Sequence, residues 1–183
     1  MKLNIPNTLS IIRILMIPWF LWEFLNAQTQ SDFTLAAGIL VVSGLTDTVD
    51  GAIARKFNMI TQLGKILDPL ADKLTLASVI AALWIKKPHL WWLCGLLILK
   101  ELLMLIGGLK LHTSKVTIEG SKWFGKLATV MFYVIMVIIV AVPVLSDRVI
   151  LGLLLFLLLF MLFAFLQYAL IFRRLIQDVH NDE

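Results

Sequence analysis

Charged residues are scarce in this sequence. Of its 183 residues only 15% are charged, 60% are apolar, and the mean hydropathy is +0.93. A water-soluble domain of this length could not cover its surface with so few polar residues, and a disordered chain would be far less apolar. The single cysteine, Cys94, excludes a disulfide scaffold. The net charge of +4 is too small to indicate a nucleic-acid partner, and the three scattered histidines do not predict a histidine metal site.

Most of the sequence consists of long apolar runs with few charges. These runs predict an all-α integral membrane protein. A membrane-spanning helix needs about 20 residues, so the chain has room for six helices joined by short loops. We find no internal repeat and interpret residues 1–183 as one transmembrane domain. The six predicted spans are residues 9–27, 33–54, 66–86, 89–110, 123–145 and 149–172.

The distribution of lysine and arginine predicts how the helices are oriented. With six spans, nine of these residues fall in loops on the side of the two termini and three on the other side. Because basic loops stay in the cytoplasm, both termini are predicted to be cytoplasmic.

Several spans are long enough only if they include ionisable residues. The uncharged run that starts at Phe33 ends after 14 residues, before Asp47, so the second helix must include Asp47 and Asp50. The third helix must likewise include Asp68 and Asp72. Charges at such depths are costly and face a bundle interior or a wet cavity.

The four aspartates are spaced to share two helix faces. Asp47 and Asp50 are three residues apart, and Asp68 and Asp72 are four apart. We expect the second and third helices to be neighbours, with their acidic faces directed at each other near the cytoplasmic side. Four carboxylates in a low dielectric need cations, and their oxygens suit Mg²⁺, Mn²⁺ or Ca²⁺. A buried ionic network between the helices is the alternative.

Other residues near the aspartates have properties that suit a phosphate ligand. Gly51 and Gly64 have no side chains and so leave space beside the acids. The planar guanidinium of Arg55 can bind a phosphate through two nitrogens. Three further cations lie within predicted helices, where they could form a pocket for a substrate phosphate: Arg13, Lys100 and Lys126. Lys100 could instead pair with an acid on another helix. Its neighbour Glu101 points about 100° away around the helix and is not expected to satisfy it.

The order D-x2-D-G-x2-A-R-x8-G-x3-D-x3-D, which runs from Asp47 to Asp72, resembles the signature of the CDP-alcohol phosphotransferase family. The segment from Ile5 to Arg13 and the pair Gly125-Lys126 look like the phosphatidylglycerophosphate synthase group within that family. The resemblance implies six transmembrane helices with the active site at the cytoplasmic face of a bacterial inner membrane. It also implies a homodimer.

The resemblance further implies roles for individual residues. Asp47, Asp50 and Asp68 would bind two divalent ions, Mg²⁺ or Mn²⁺, and Asp72 would both bind metal and act as the general base. The remaining signature positions would hold the CDP part of CDP-diacylglycerol, and these are Gly51, Ala54, Arg55, Thr61 and Gly64. The acceptor implied by the closest group is glycerol 3-phosphate.

The acceptor and the class of protein both have alternatives. The synthase group commonly has Arg where this chain has Lys100, and a second Lys where it has Ala128. Fewer cations could mean another acceptor, such as phosphatidylglycerol, which would make the protein a CMP-forming cardiolipin synthase. A cation transporter that uses the four aspartates is the alternative from a different class.

Overall fold

The computed structural model describes residues 4–57, 61, 64–113 and 123–181, and nearly all of them are helical. No strand occurs in these ranges, which confirms the all-α prediction. A short 3-10 turn, Pro88–Leu90, precedes the fourth helix. The helices are α1 (Ile5–Asn26), α2 (Gln30–Lys56), α3 (Gly64–Lys86), α4 (Trp91–Thr113), α5 (Trp123–Ala141) and α6 (Asp147–Asn181).

Polar caps set the first two helix starts, a few residues before the apolar runs begin. The Asn4 side chain accepts a hydrogen bond from the Asn7 backbone N–H at 3.1 Å, so α1 begins at Ile5 rather than at the predicted residue 9. Thr29 and Asp32 form a capping box that starts α2 at Gln30 rather than at residue 33. A cap needs only one or two polar side chains, which a search for apolar runs does not detect.

The six helices form a closed ring. Among the described residues α1 contacts α2 and α3, α2 contacts α5, α5 contacts α6, α6 contacts α4, and α4 contacts α3. The order around the ring is therefore α1, α2, α5, α6, α4, α3. Although α2 and α3 follow each other in the chain, they make little direct contact, and α1 packs against both. The expected direct packing of α2 on α3 is thus replaced by packing through α1.

The surface of the ring is apolar, as a lipid environment requires. Large side chains such as Leu15, Leu159 and Leu166 are more than half exposed, and all six tryptophans are exposed. Within the described ranges, four helical segments are long and apolar enough to cross a membrane: Ile5–Asn26, Gln30–Gly51, Trp123–Ala141 and Asp147–Ile171. Charged residues shorten the apolar runs of α3 and α4. The structure thus supports a membrane protein, and the count of six spans stays a prediction.

Polar contacts tie the helix ends together at the side opposite the aspartates. The Lys86 ammonium donates to the Ala27 carbonyl at 3.3 Å and lies over the rings of Phe24 and Phe33. An exposed ion pair of 2.7 Å joins Lys87, after α3, to Asp147 at the start of α6. This pair lies far from the acidic residues, so both members serve below as controls.

Candidate active site

A cavity of about 870 Å³ opens between α2, α3 and α5. Along α5 its lining runs from Gly125 to Ile138, a length of about 20 Å at 1.5 Å per residue. One end is apolar and is lined by residues such as Leu40, Val41 and Val137. The other end is polar, because the acidic parts of α2 and α3 reach it. The cavity therefore combines an apolar channel with a charged mouth.

Three of the four aspartates, Asp47, Asp68 and Asp72, line this cavity together. One carboxylate oxygen of Asp72, Oδ1, is buried and has no hydrogen-bond partner. Asp50 is only 2% exposed, and its carboxylate binds Arg13 of α1. The prediction that acidic residues of α2 and α3 share one hollow is thus confirmed for three of the four. Their role as metal ligands stays a prediction.

Arg13 binds the two acids of α2 at the same time. Its terminal nitrogens contact the carboxylates of Asp47 and Asp50, and its side chain is fully buried. It was predicted to contact a substrate phosphate, but the structure gives it these two carboxylates as partners. The Ser10 hydroxyl, one helical turn earlier on α1, donates to Asp68. α1 therefore reaches acids on both α2 and α3.

The residues predicted to hold the CDP group lie at the same end of the bundle. Gly51 lines the cavity, and Ala54 is half-buried one turn further along α2. The Thr61 hydroxyl accepts a hydrogen bond from the Gly64 backbone N–H at 2.9 Å and donates to Asn7 Oδ1 at 3.1 Å. A Cβ on Gly64 would lie 2.8 Å from Asn7 Oδ1, so a larger residue here would displace the Asn7 side chain. The side chain of Arg55 lies outside the described part of the structure.

Lys100 is held by its own neighbour. Its ammonium donates to Glu101 at 2.6 Å, and the second Glu101 oxygen binds Lys73 of α3. The expectation that Lys100 and Glu101 do not satisfy each other is therefore wrong, because their long side chains bridge the angle between them.

Of the three cations predicted for a phosphate, Lys126 alone lines the cavity. Lys73, which the sequence reasoning did not assign to the site, lines it as well.

A family model described as CDP-alcohol phosphatidyltransferase matches residues 3–172, which include the whole acidic signature. The chain belongs to the CDP-alcohol phosphatidyltransferase family. This result confirms the resemblance and the class of enzyme that it implied.

Curated relatives fall into two groups of this family. A protein of Escherichia coli strain K12 named CDP-diacylglycerol–glycerol-3-phosphate 3-phosphatidyltransferase is 34% identical over 135 residues, which are 70% of this chain and 72% of that protein. A protein of Shigella boydii with the same name aligns with the same identity and coverage. A CMP-forming cardiolipin synthase of Streptomyces coelicolor is 39% identical over 115 residues. That alignment covers 60% of this chain and about half, 53%, of the relative.

CDP-alcohol phosphatidyltransferases generally depend on a divalent metal, and the donor set of this chain fits one in its chemistry. Carboxylate oxygens are the ligands that Mg²⁺ and Mn²⁺ prefer, and Asp72 Oδ1 is buried without a partner. In the described ranges no three acidic, histidine or cysteine side chains are grouped so that they could hold one ion. Asp47 and Asp50 bind Arg13 instead.

The structure places further residues at the site of this phosphatidyltransferase that were not predicted from the sequence. Asn7 and Ser10 are buried on the same face of α1 as Arg13, and their three-residue spacing on an apolar helix was a usable signal. Tyr133 lines the cavity, and its buried hydroxyl lies beside the hydroxyl of Ser43. No spacing pattern points to Tyr133, because only the packing of α5 against α2 brings it to the cavity.

We predict that Glu101→Gln destabilises the protein strongly. Lys100 is 8% exposed and would lose the carboxylate that it shares with Lys73. Breaking a buried ion pair from one side costs about 3–5 kcal/mol, since an uncompensated charge remains. The melting temperature of the purified protein in detergent should fall clearly. Lys87→Gln, which breaks the exposed pair with Asp147, should change it little, and equal shifts in the two variants would contradict the prediction.

Proposed function

We propose that this enzyme transfers the phosphatidyl group of CDP-diacylglycerol to sn-glycerol 3-phosphate, and that the products are phosphatidylglycerophosphate and CMP. The observation that carries the proposal is the cavity, in which an apolar channel joins a mouth lined by Asp47, Asp68 and Asp72. A lipid with a charged nucleotide head group has the same two-part chemistry. The names of the E. coli and Shigella relatives support the choice of donor and acceptor.

The apolar channel suits the diacylglycerol part of the donor. Channel residues such as Val41, Leu45 and Val134 are well exposed, which supports a channel that is open towards lipid. Its length of about 20 Å exceeds half of a hydrocarbon core of about 30 Å. The donor would therefore enter sideways from the bilayer with its nucleotide at the polar mouth. There Gly51, Ala54, Arg55, Thr61 and Gly64 are proposed to hold the CDP group.

The four aspartates are proposed to bind the divalent ions of the reaction. Asp47, Asp50, Asp68 and Asp72 would hold one or two Mg²⁺ or Mn²⁺ ions, which offset phosphate charge when bound. Asp72 is proposed as the general base, because its free Oδ1 faces no protein donor. It would take the proton of the acceptor hydroxyl, whose oxygen then bonds to the phosphorus attached to diacylglycerol. The bond from that phosphorus to the bridging oxygen breaks, and CMP leaves with that oxygen.

The acceptor phosphate is proposed to bind Lys126 and Lys73, the two lysines that line the cavity. Lys126 is exposed at the start of α5, and no described acid pairs with it. Lys73 shares Glu101 with Lys100, but a third of its side chain remains exposed. Arg13 and Lys100 are engaged with protein carboxylates, so they are weaker candidates for the phosphate than Lys126.

We predict that Lys126→Gln raises the KM for glycerol 3-phosphate about tenfold or more, because a charge-assisted hydrogen bond contributes about 1.5–3 kcal/mol. The KM for CDP-diacylglycerol should change little. Steady-state release of CMP, measured while each substrate is varied in turn, checks both values. Lys87→Gln is the matched control, and an unchanged KM for glycerol 3-phosphate in Lys126→Gln would remove this lysine from the acceptor site.

Phosphatidylglycerol is the second candidate acceptor, and it would make the protein a CMP-forming cardiolipin synthase. The 39% identity to the Streptomyces synthase favours it, and so does the small number of cations among the described residues that line the cavity. Release of CMP from labelled CDP-diacylglycerol should be measured with a panel of alcohols. Release that requires glycerol 3-phosphate supports the first proposal, and release that requires phosphatidylglycerol supports the second. Ion uptake by vesicles without any CMP release would favour the transporter, which the family membership opposes.

We also propose how the protein is arranged in the membrane. We infer six spans, both termini in the cytoplasm, a bacterial inner membrane and an active site that faces the cytoplasm. The acidic mouth lies at the end of the bundle where α2 ends and α3 begins, next to the basic residues Lys56 and Lys65, and this supports the orientation. A homodimer is proposed from the family resemblance. Cysteine labelling from either side of the membrane tests the orientation, and size measurement in nanodiscs tests the dimer.

A further inference from the structure

Three polar residues of α1 lie three residues apart and are almost completely buried. Asn7, Ser10 and Arg13 are each at most 1% exposed in a helix that otherwise faces lipid or the apolar core. We call these three residues the α1 polar stripe. Buried polar groups in a membrane-embedded bundle are costly, so they point to a function.

The α1 polar stripe contacts each part of the acidic signature from the side opposite the cavity. Asn7 accepts a hydrogen bond from Thr61, in the loop before α3. Ser10 faces both the Pro6 carbonyl and Asp68, and the charged carboxylate is the stronger acceptor for its one proton. None of the three stripe residues lines the cavity, whereas Asp68 does. The stripe is thus a supporting layer behind the carboxylates.

Arg13 is the charged member of this layer. Its two terminal nitrogens bind one oxygen of Asp47 and one oxygen of Asp50, so each carboxylate has a second oxygen that Arg13 does not bind. The four aspartates and Arg13 together carry a formal charge of −3, and the two lysines that line the cavity, Lys73 and Lys126, form no ion pair with these aspartates. Without Arg13 the excess would be −4, and Asp50 at 2% exposure would be a buried charge without its cation.

We propose that Arg13 is the fixed counter-ion and positioning residue of the metal-binding aspartates, with Ser10 positioning Asp68 in the same way. Arg13 binds the carboxylates of Asp47 and Asp50 and holds them in place before a divalent ion arrives, so the site is ordered in advance. Partners of metal ligands commonly set the orientation of those ligands and so affect metal affinity. The inference rests on the proposed function, because it takes these aspartates as the metal ligands.

This role differs from simple packing in a measurable way. If Arg13 only filled space, its removal would lower stability by the same amount with and without metal. If it supplies positive charge to the carboxylates, a divalent ion can supply that charge in its place. The loss of stability should therefore be large without metal and small with it.

The test compares the melting temperatures of purified wild type, Arg13→Gln and Arg13→Lys in EDTA and in Mn²⁺. In EDTA we expect Arg13→Gln to melt about 10 °C below wild type. Mn²⁺ should restore most of this loss, and Arg13→Lys, which keeps the charge but not the fork, should lie between the two. Lys87→Gln is the charge-removing control and should respond to Mn²⁺ as wild type does. Equal losses in EDTA and in Mn²⁺ for Arg13→Gln would overturn the proposal.

A second variant tests the same layer with a smaller change. Ser10→Ala removes one hydroxyl and should weaken Mn²⁺ binding about tenfold in an electron paramagnetic resonance titration. Thr8→Ala, an exposed hydroxyl on the same helix that bonds only to the Asn4 carbonyl, is its control. Unchanged affinity in Ser10→Ala would count against the proposal, even where Arg13→Gln does not fold. A wild type that neither binds Mn²⁺ nor releases CMP would overturn the proposed function instead.

Discussion

Asp72→Asn is expected to lower the rate of CMP release by about 10²–10⁴-fold, the usual contribution of a general base. The amide has the shape of the carboxylate but cannot accept the proton of the acceptor hydroxyl. Asp72 is the natural candidate because it lines the same cavity as Asp47 and Asp68, and because its buried Oδ1 has no hydrogen-bond partner. Binding of CDP-diacylglycerol should change much less, since the proposed contacts to the nucleotide come from other residues.

The two effects are separated by measuring turnover and donor binding on the same purified variant. Asp147→Asn removes an exposed carboxylate at the opposite end of the bundle and should keep near-normal turnover. Because Asp72 is also a proposed metal ligand, turnover should be measured at saturating Mg²⁺ or Mn²⁺. Turnover close to that of wild type in Asp72→Asn would exclude Asp72 as the base.

Removal of divalent metal is expected to have the second large effect. Dialysis against EDTA should lower CMP release at least about a hundredfold, because even one lost electrostatic contact to developing charge costs about 10²–10³ in rate. Mg²⁺ or Mn²⁺ should restore wild-type activity. Asp68→Asn should recover little at the same metal concentration, since one proposed ligand is missing from the cavity wall.

The control for metal removal is Lys87→Gln, which should lose and regain activity as wild type does. Full activity of the dialysed enzyme, with metal content verified by elemental analysis, would exclude a catalytic metal. Such a result would leave the lipid-shaped cavity and the proposed donor unaffected. It would require another cation to neutralise the aspartates, and Arg13 is already placed there.

Composition and helical spacing predicted the secondary structure and the family of this protein. In lipid only a helix or a closed barrel satisfies its own backbone, so long apolar runs largely decide the secondary structure. The signature from Asp47 to Asp72 identified the family, which the match over residues 3–172 confirmed. It also placed acids of α2 and α3 in one cavity, because residues three or four apart share a helix face.

The helix boundaries and the partners of the buried cations were harder to predict. The N-caps at Asn4 and Thr29 moved two helix starts, since a cap depends on one side chain rather than on a run. Glu101 was not expected to satisfy Lys100, yet the two flexible side chains form an ion pair across the angle between them. Arg13 was assigned to a substrate phosphate, whereas its partners in the structure are two aspartates of the neighbouring helix.

The sequence by itself determined that the chain is a helical membrane protein with a phosphatidyltransferase signature. These properties depend on residue type and local spacing. Only the tertiary structure decided that α1 stands between α2 and α3, that its polar stripe supports the acids, and that Lys126 rather than Lys100 faces the cavity. A buried charge takes its partner from whichever helix packs beside it. The partner of each buried charge therefore depends on how all six helices pack, and it cannot be predicted from any one segment of the chain.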